Sequence, residues 1–221
     1  NPDGQSATLV NGFLYTTQTV LLEDNFNDNS LNTVNWTADD LFSGTTDTTL
    51  PISETAQWLE IGPLLQNTGS SHYRGIRSVN TYDFTNGAAY VELVQPAASS
   101  TTAYAMFTVG QNVDNYYRLY VSNGNLVGEY KIAGTKVTLF TITFDAVNHR
   151  YLRIRHQAGS MIMETAPAGG SAPGSWTQRY SQMWSSAISV TAIRFEMKGG
   201  TSVAEANAPG KVIFDNFMAL R

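Results

Sequence analysis

The sequence predicts an all-β protein, a two-sheet antiparallel β-sandwich, and three observations carry that prediction. Apolar residues make up 42% and aromatic residues 11% of 221 residues, enough for a large core, while no stretch keeps a helical rhythm. Short segments rich in β-branched and aromatic residues recur every ten or so positions, each closed by Gly, Asn, Asp or Pro. Charged residues reach only 14%, so wet positions are filled by Thr, Ser, Asn and Gly.

Taken in order, residues 1–18 are polar, lack a pairing signal and read as a linker or leading edge strand; the sandwich occupies 19–221. The opening Asn1-Pro2-Asp3-Gly4 reads as a cut from something longer. Strands are expected at 19–26, 34–42, 56–62, 73–80, 88–95, 102–109, 115–121, 126–132, 136–143, 150–156, 161–165, 176–180, 188–198 and 211–219. Trp36 and Trp58 lie inside apolar strands and are expected in the core. Asn86-Gly87, Asn123-Gly124, Ala133-Gly134 and Gly199-Gly200 are read as tight turns, because each offers residues that tolerate positive φ. Alternation is clean in 150–156, where Leu152 and Ile154 face one side and Tyr151, Arg153 and Arg155 the other. It is equally clean in 193–198, with Ile193, Phe195 and Met197 opposing Arg194, Glu196 and Lys198. Ala166–Gly174, rich in Pro, Gly and Ala, is a loop.

Several function classes lose support at once. Lys and Arg number 13 against 18 Asp and Glu, a net charge of −5, so nucleic acid is not an expected partner. There is no cysteine, hence no thiol nucleophile, disulfide framework or Cys-ligated metal. No apolar run approaches the ~18 residues that cross a bilayer, and no basic-then-apolar leader opens the sequence. A retaining glycosidase on a sandwich would need two close carboxylates, yet no acids are spaced i, i+2 and only Asp24 and Asp28 are spaced i, i+4. No Gly-x-Ser-x-Gly elbow exists, and His72, His149 and His156 show no Ser/Asp arrangement or zinc spacing. The expectation is no enzyme.

An ordered series of segments resembles a known family. Tyr73-Arg74-Gly75-Ile76-Arg77-Ser78 and Tyr82-Asp83-Phe84-Thr85 open it. Asn115-Tyr116-Tyr117-Arg118-Leu119 and His149-Arg150-Tyr151-Leu152-Arg153-Ile154-Arg155 continue it. Glu164-Thr165-Ala166-Pro167, Ser175-Trp176-Thr177, Ala204-Glu205-Ala206-Asn207 and Phe214-Asp215-Asn216-Phe217 complete it. Together, over about 19–221, they resemble the concanavalin A-like lectin/glucanase (laminin-G-like) jelly-roll domains of bacterial surface and phage tail proteins. One departure is Ala166–Gly174, where the family usually has a tight Ser-Pro-Asp-Gly turn. The resemblance implies a jelly-roll sandwich that binds glycan, spaces an adhesive protein or, less often, hydrolyses a glycoside.

Two kinds of site are expected. Glu23-Asp24-Asn25-Phe26-Asn27-Asp28 is dense in the hard oxygens Ca2+ takes, and Asp215 lies on the last strand. Resemblance to jelly-roll carbohydrate-binding modules suggests a structural Ca2+ joining first and last strands, with Asp24, Asp28 and Asp215 as ligands. The other reading is that these residues end strands and cap turns. For glycan, rings must meet sugar C–H faces beside planar polar groups. Candidates are the outward rows Tyr116, Arg118, Tyr120 and Tyr151, Arg153, Arg155, with Tyr90, Glu92, Arg194 and Glu196, aligned across one sheet, or else a ladder of stabilising ion pairs. Trp176 and Trp184, beside Gly/Ser loops, are the expected exposed platforms. The function expected is a non-catalytic, lectin-like carbohydrate-binding module of an extracellular, cell-surface or virion protein, its partner a polysaccharide or cell-surface glycan. The alternative is a structural or adhesive domain contacting other subunits of a surface appendage or phage tail, without membrane insertion.

Overall fold

A computed structural model describes residues 18–38, 42, 44–65, 71–170 and 172–221; of the predicted linker or edge strand 1–18, residues 1–17 lie outside the described residues. In chain order the strands are β1 (Val20–Asp24), β2 (Trp36–Thr37), β3 (Thr45–Thr46), β4 (Ile52–Thr55), β5 (Trp58–Ile61), β6 (His72–Ser78), β7 (Ala88–Gln95) and β8 (Tyr104–Asn112). They continue as β9 (Asn115–Ser122), β10 (Asn125–Ile132), β11 (Thr135–Thr143), β12 (Tyr151–Gln157), β13 (Ser160–Ala166), β14 (Thr177–Met183), β15 (Arg194–Thr201) and β16 (Val212–Leu220). The first sheet runs β14-β13-β12-β7-β16-β5-β4, with β1 also on β16; the second runs β11-β10-β9-β8-β15-β6-β2. β3 joins the second sheet parallel to β6, while the other strand pairs are antiparallel. No helix among the described residues is long and apolar enough to cross a membrane.

Period-two alternation builds the core. Leu152 and Ile154, Tyr117 and Leu119, and Phe195 and Met197 turn inward from both sheets and are buried. Trp36 is buried as expected, edge-on to Phe217 at 5.1 Å, and its Nε1 donates to Asp24 Oδ2 at 2.8 Å. Trp58 corrects the sequence reading: it follows the positive-φ pair Ala56 and Gln57, so alternation sends Leu59 inward and leaves Trp58 36% exposed. Of the expected strand 34–42, Trp36 and Thr37 form β2 and residues 39–41 lie outside the described residues, while β3 and β4 are additional strands. The expected strand 188–198 starts only at Arg194, because turns closed by Ile188 N to Ser185 O and Ala192 N to Ser189 O precede it.

Asn86, Asn123 and Ala133 do adopt positive φ in their turns. Gly199 and Gly200 do not turn the chain; they lie inside β15. Gly200 is needed there for closeness, since a Cβ would stand 2.1 Å from the His72 carbonyl oxygen. At the edge of the first sheet, Thr19 and Arg221 exchange both backbone hydrogen bonds, at 2.6 and 2.8 Å, extending the β1–β16 ladder.

Candidate functional site

Strand registry stacks outward side chains of the second sheet into rows. One row crosses β10, β9, β8, β15 and β6 as Glu129, Arg118, Thr108, Glu196 and Arg77. The next is Val127, Tyr120, Met106, Lys198 and Gly75, and beyond it lie Tyr104, Gly200 and Tyr73. A cavity of about 340 Å3 opens over these rows, walled by Tyr73, Tyr104, Tyr116 and Tyr120, with Lys131 and Lys136 at its β10–β11 side. Tyr104 meets Tyr73 at 6.2 Å and Tyr120 edge-on at 5.4 Å, so the tyrosines support one another.

Beneath the rings the charges are spent on each other. Arg118 donates from Nε to Thr108 Oγ1 at 2.9 Å and from NH1 to Tyr116 OH at 3.2 Å; it lies over the Tyr116 ring at 4.2 Å. Its two terminal nitrogens stand 3.4 Å from Glu129 and 3.5 Å from Glu196. Glu196, fully buried, also accepts from Thr108 Oγ1, the Phe42 backbone N–H and Lys198 Nζ, the last at 3.2 Å. Burial brings the Lys198 ammonium down to about 8, against the pull of Glu196. Burial likewise raises the Tyr73 and Tyr120 phenols, which stay neutral hydroxyls able to donate and accept. Glycosidic cleavage places the sugar bond between its two carboxyls; here the Arg118 guanidinium stands between Glu129 and Glu196. The surface offers rings, hydroxyls and fixed charges.

No protein-family profile matches the chain, and no curated protein matches it in sequence. Solved structures do match. The CBM2 module of an evolved Dit from Lactobacillus casei BL23 phage J-1 aligns with TM-score 0.66 at 10% identity, covering 92% of this chain and 95% of that one. The endo-1,3-β-glucanase of Streptomyces sioyaensis gives 0.62 at 11% identity, covering 93% and 96%. The β-glucanase of Bacillus licheniformis gives 0.59 at 16% identity, covering 90% and 96%. The fold is a concanavalin A-like jelly roll. At such identities the likeness concerns the fold.

The jelly roll separates the two rows that sequence alone aligned on one sheet. Tyr116, Arg118 and Tyr120 belong to the cavity on the second sheet; Tyr151, Arg153 and Arg155, with Tyr90 and Glu92, lie on the outer face of the first. There Arg153 and Arg155 both bond Glu164, at 2.6 and 2.8 Å, and Tyr151 OH donates to Glu92 at 3.0 Å. Trp176 is half-buried, with the Arg153 guanidinium 3.8 Å from its ring centre and Tyr90 beside it at 5.8 Å. Trp184 is placed at the core edge instead of in open solvent: its Nε1 donates to Ile188 O, and Tyr117 and His156 meet its ring edge-on. Sequence reasoning passed over Glu129, Lys198, Tyr73 and Tyr104. Alternation within β10 and β15 carried the signal for the first two, since Leu126 and Met197 point inward.

Histidine reading needs one correction as well. His72 Nδ1 meets Asp47 Oδ2 at 2.5 Å, a pair 25 positions apart that local spacing hid. His149 Nδ1 accepts the Asp145 N–H at 3.0 Å and closes a turn.

The three proposed calcium ligands do not form one cluster. Among the described residues no group of three or more His, Cys, Asp or Glu is disposed to hold a metal ion. Asp24 accepts from Phe26 N and Trp36 Nε1, Asp28 from Ser30 N, and Asp215 from Asn216. Asp24 and Asp28 instead border Glu54, a buried carboxylate on β4. Burial first, then the Asp28 and Asp24 carboxylates, pushes the Glu54 carboxyl up to about 7. Burial and Glu92 raise Asp215 to about 6. Both carboxyls hold protons more tightly folded than unfolded, so their contribution is full at low pH and lost as pH rises through the folded values. In chelator, the melting temperature is expected to fall between about pH 4 and pH 7; a flat profile measured by calorimetry would contradict this.

Proposed function

We propose that the chain is a non-catalytic glycan-binding module of an extracellular, cell-surface or virion protein, and that saccharide binds in the tyrosine-walled cavity of the second sheet. The supporting observation is the pairing within the charge row: both acids beneath the cavity are neutralised by Arg118 and Lys198, leaving rings and hydroxyls toward the ligand. The solved structures of like fold, a phage carbohydrate-binding module and glucanases among them, favour polysaccharide as the ligand class. The test is binding to β-1,3-glucan, mixed-linkage β-glucan and Lactobacillus casei cell-wall polysaccharide. Tyr104→Ala and Tyr120→Ala are each expected to weaken binding about tenfold, one aromatic contact's worth. Trp176→Ala is expected to leave it intact; loss only with Trp176→Ala would move the site to the first sheet. Sugar release that vanishes in Glu196→Gln would establish a hydrolase instead. No binding, with self-association in light scattering, would favour the structural-domain reading.

Calcium enters as a structural ion. Two packed carboxylates suit a hard cation, so Glu54 and Asp28 would hold Ca2+, completed by carbonyl or water oxygens. Bound, it would neutralise the packed acids. Chelation at pH 8 is expected to lower the melting temperature by several degrees, and Glu54→Gln to abolish that response. Identical melts with and without chelator would remove the ion.

A further inference from the structure

Charge is sorted unevenly over a chain whose net charge is −5. The cavity of about 390 Å3 beside β1 and β16 is lined by Glu23, Asp24 and Asp28 and, among the described residues, by no cation. The tyrosine-walled cavity of the second sheet has the opposite balance: its charged lining residues are Arg118, Lys131 and Lys136 against Glu129. Beneath the rings, Arg118 and Lys198 offset Glu129 and Glu196. Lys131 is bonded at 2.9 Å to Asp114, an exposed acid outside the lining. The surplus charge therefore sits on Lys136. Its side chain is 63% exposed, and its ionic contact is Glu129 at 4.0 Å, a carboxylate already 3.4 Å from Arg118.

Registry makes the pair of lysines costly. Lys131 and Lys136 stand directly opposite each other across the β10–β11 ladder, where like charges destabilise a sheet. A local rule broken in this way marks a place where function is served. A negative group between the two ammonium groups would relieve the repulsion. Beside them, Tyr116 OH accepts from Arg118 NH1 at 3.2 Å and keeps its own proton to donate. Hydrogen bonds to an ionised acceptor are roughly twice as strong as those to a neutral one. We infer that the cavity prefers a glycan bearing an anionic substituent, a carboxylate or a sulfate ester, with Lys136 as the residue that sets this preference. The inference rests on the glycan-binding reading above.

The experiment presents each of the three polysaccharides named above in its parent form, oxidised at C6 to the carboxylate, and sulfated. At about 10 mM salt, where screening reaches only over ~30 Å, an anionic form is expected to bind about fivefold more tightly than its parent, the upper end for an exposed ion pair. The gain is expected to fade as salt approaches about 1 M. A gain with the oxidised form alone identifies a uronate, one with the sulfated form alone a sulfate ester, and one with both the charge itself; each supports the inference. Lys136→Gln is expected to bring the ratio of anionic to parent affinity to about one, and Lys136→Glu to reverse it. Lys136 is exposed on the edge strand, so both variants should melt close to the unaltered protein. Equal binding of all forms, or a gain that survives Lys136→Glu, overturns the inference while leaving glycan binding intact. Absence of binding to every form overturns both.

Discussion

Replacing Arg118 by alanine is expected to destabilise the protein by about 3–5 kcal/mol, the usual cost of leaving buried charges without their partner. The guanidinium is 4% exposed and contacts both Glu129 and Glu196, which are themselves buried. Its removal leaves Glu129 with only Lys136, at 4.0 Å, and Glu196 dependent on Lys198. At about 2–4 °C per kcal/mol for a domain of this size, the melting temperature should drop by roughly 10 °C. Arg118→Lys is not expected to rescue it, because a single ammonium cannot serve Thr108, Glu129 and Glu196 together. A melt within a degree or two of the unaltered protein would show that the row contributes no net stability.

The second large effect is expected at Trp36. Its ring fills the core against Phe26 and Phe217, and its indole N–H satisfies Asp24. Trp36→Ala leaves a cavity and should cost about 3–5 kcal/mol. Trp36→Phe keeps most of the volume but orphans Asp24 Oδ2, which should cost about 1–3 kcal/mol. Urea unfolding of the two variants separates packing from hydrogen bonding. A Trp36→Phe variant as stable as the unaltered protein would mean that the Asp24 contact matters little.

Particular residues show what was legible in the sequence. Leu152 and Ile154 against Arg153 and Arg155 announce a half-buried strand, and the structure has it as β12. Asn123 announces the β9–β10 hairpin, and Asn86 a turn, because their side chains tolerate positive φ. Such signals are local, and they suffice for strands, turns and sandwich. Which strands share a sheet is not local: β9 and β12 carry similar Tyr/Arg patterns yet fall on opposite layers. The cavity depends on that sorting, so Tyr73, Tyr104 and Glu129 emerge only with registry. β3 was hidden by its brevity and its pairing with distant β6, and β4 by its brevity. Glu54 is the sharpest conflict between pattern and place, an acid paired with core-facing Leu59.

The ladder bonds between Thr19 and Arg221 have a practical corollary. Because the two positions sit side by side on one edge, residues 19–221 could be spliced into a surface hairpin of an unrelated carrier without stretching it. Such a graft would present the tyrosine cavity through two adjacent tethers, restraining its orientation more than a single flexible leash would.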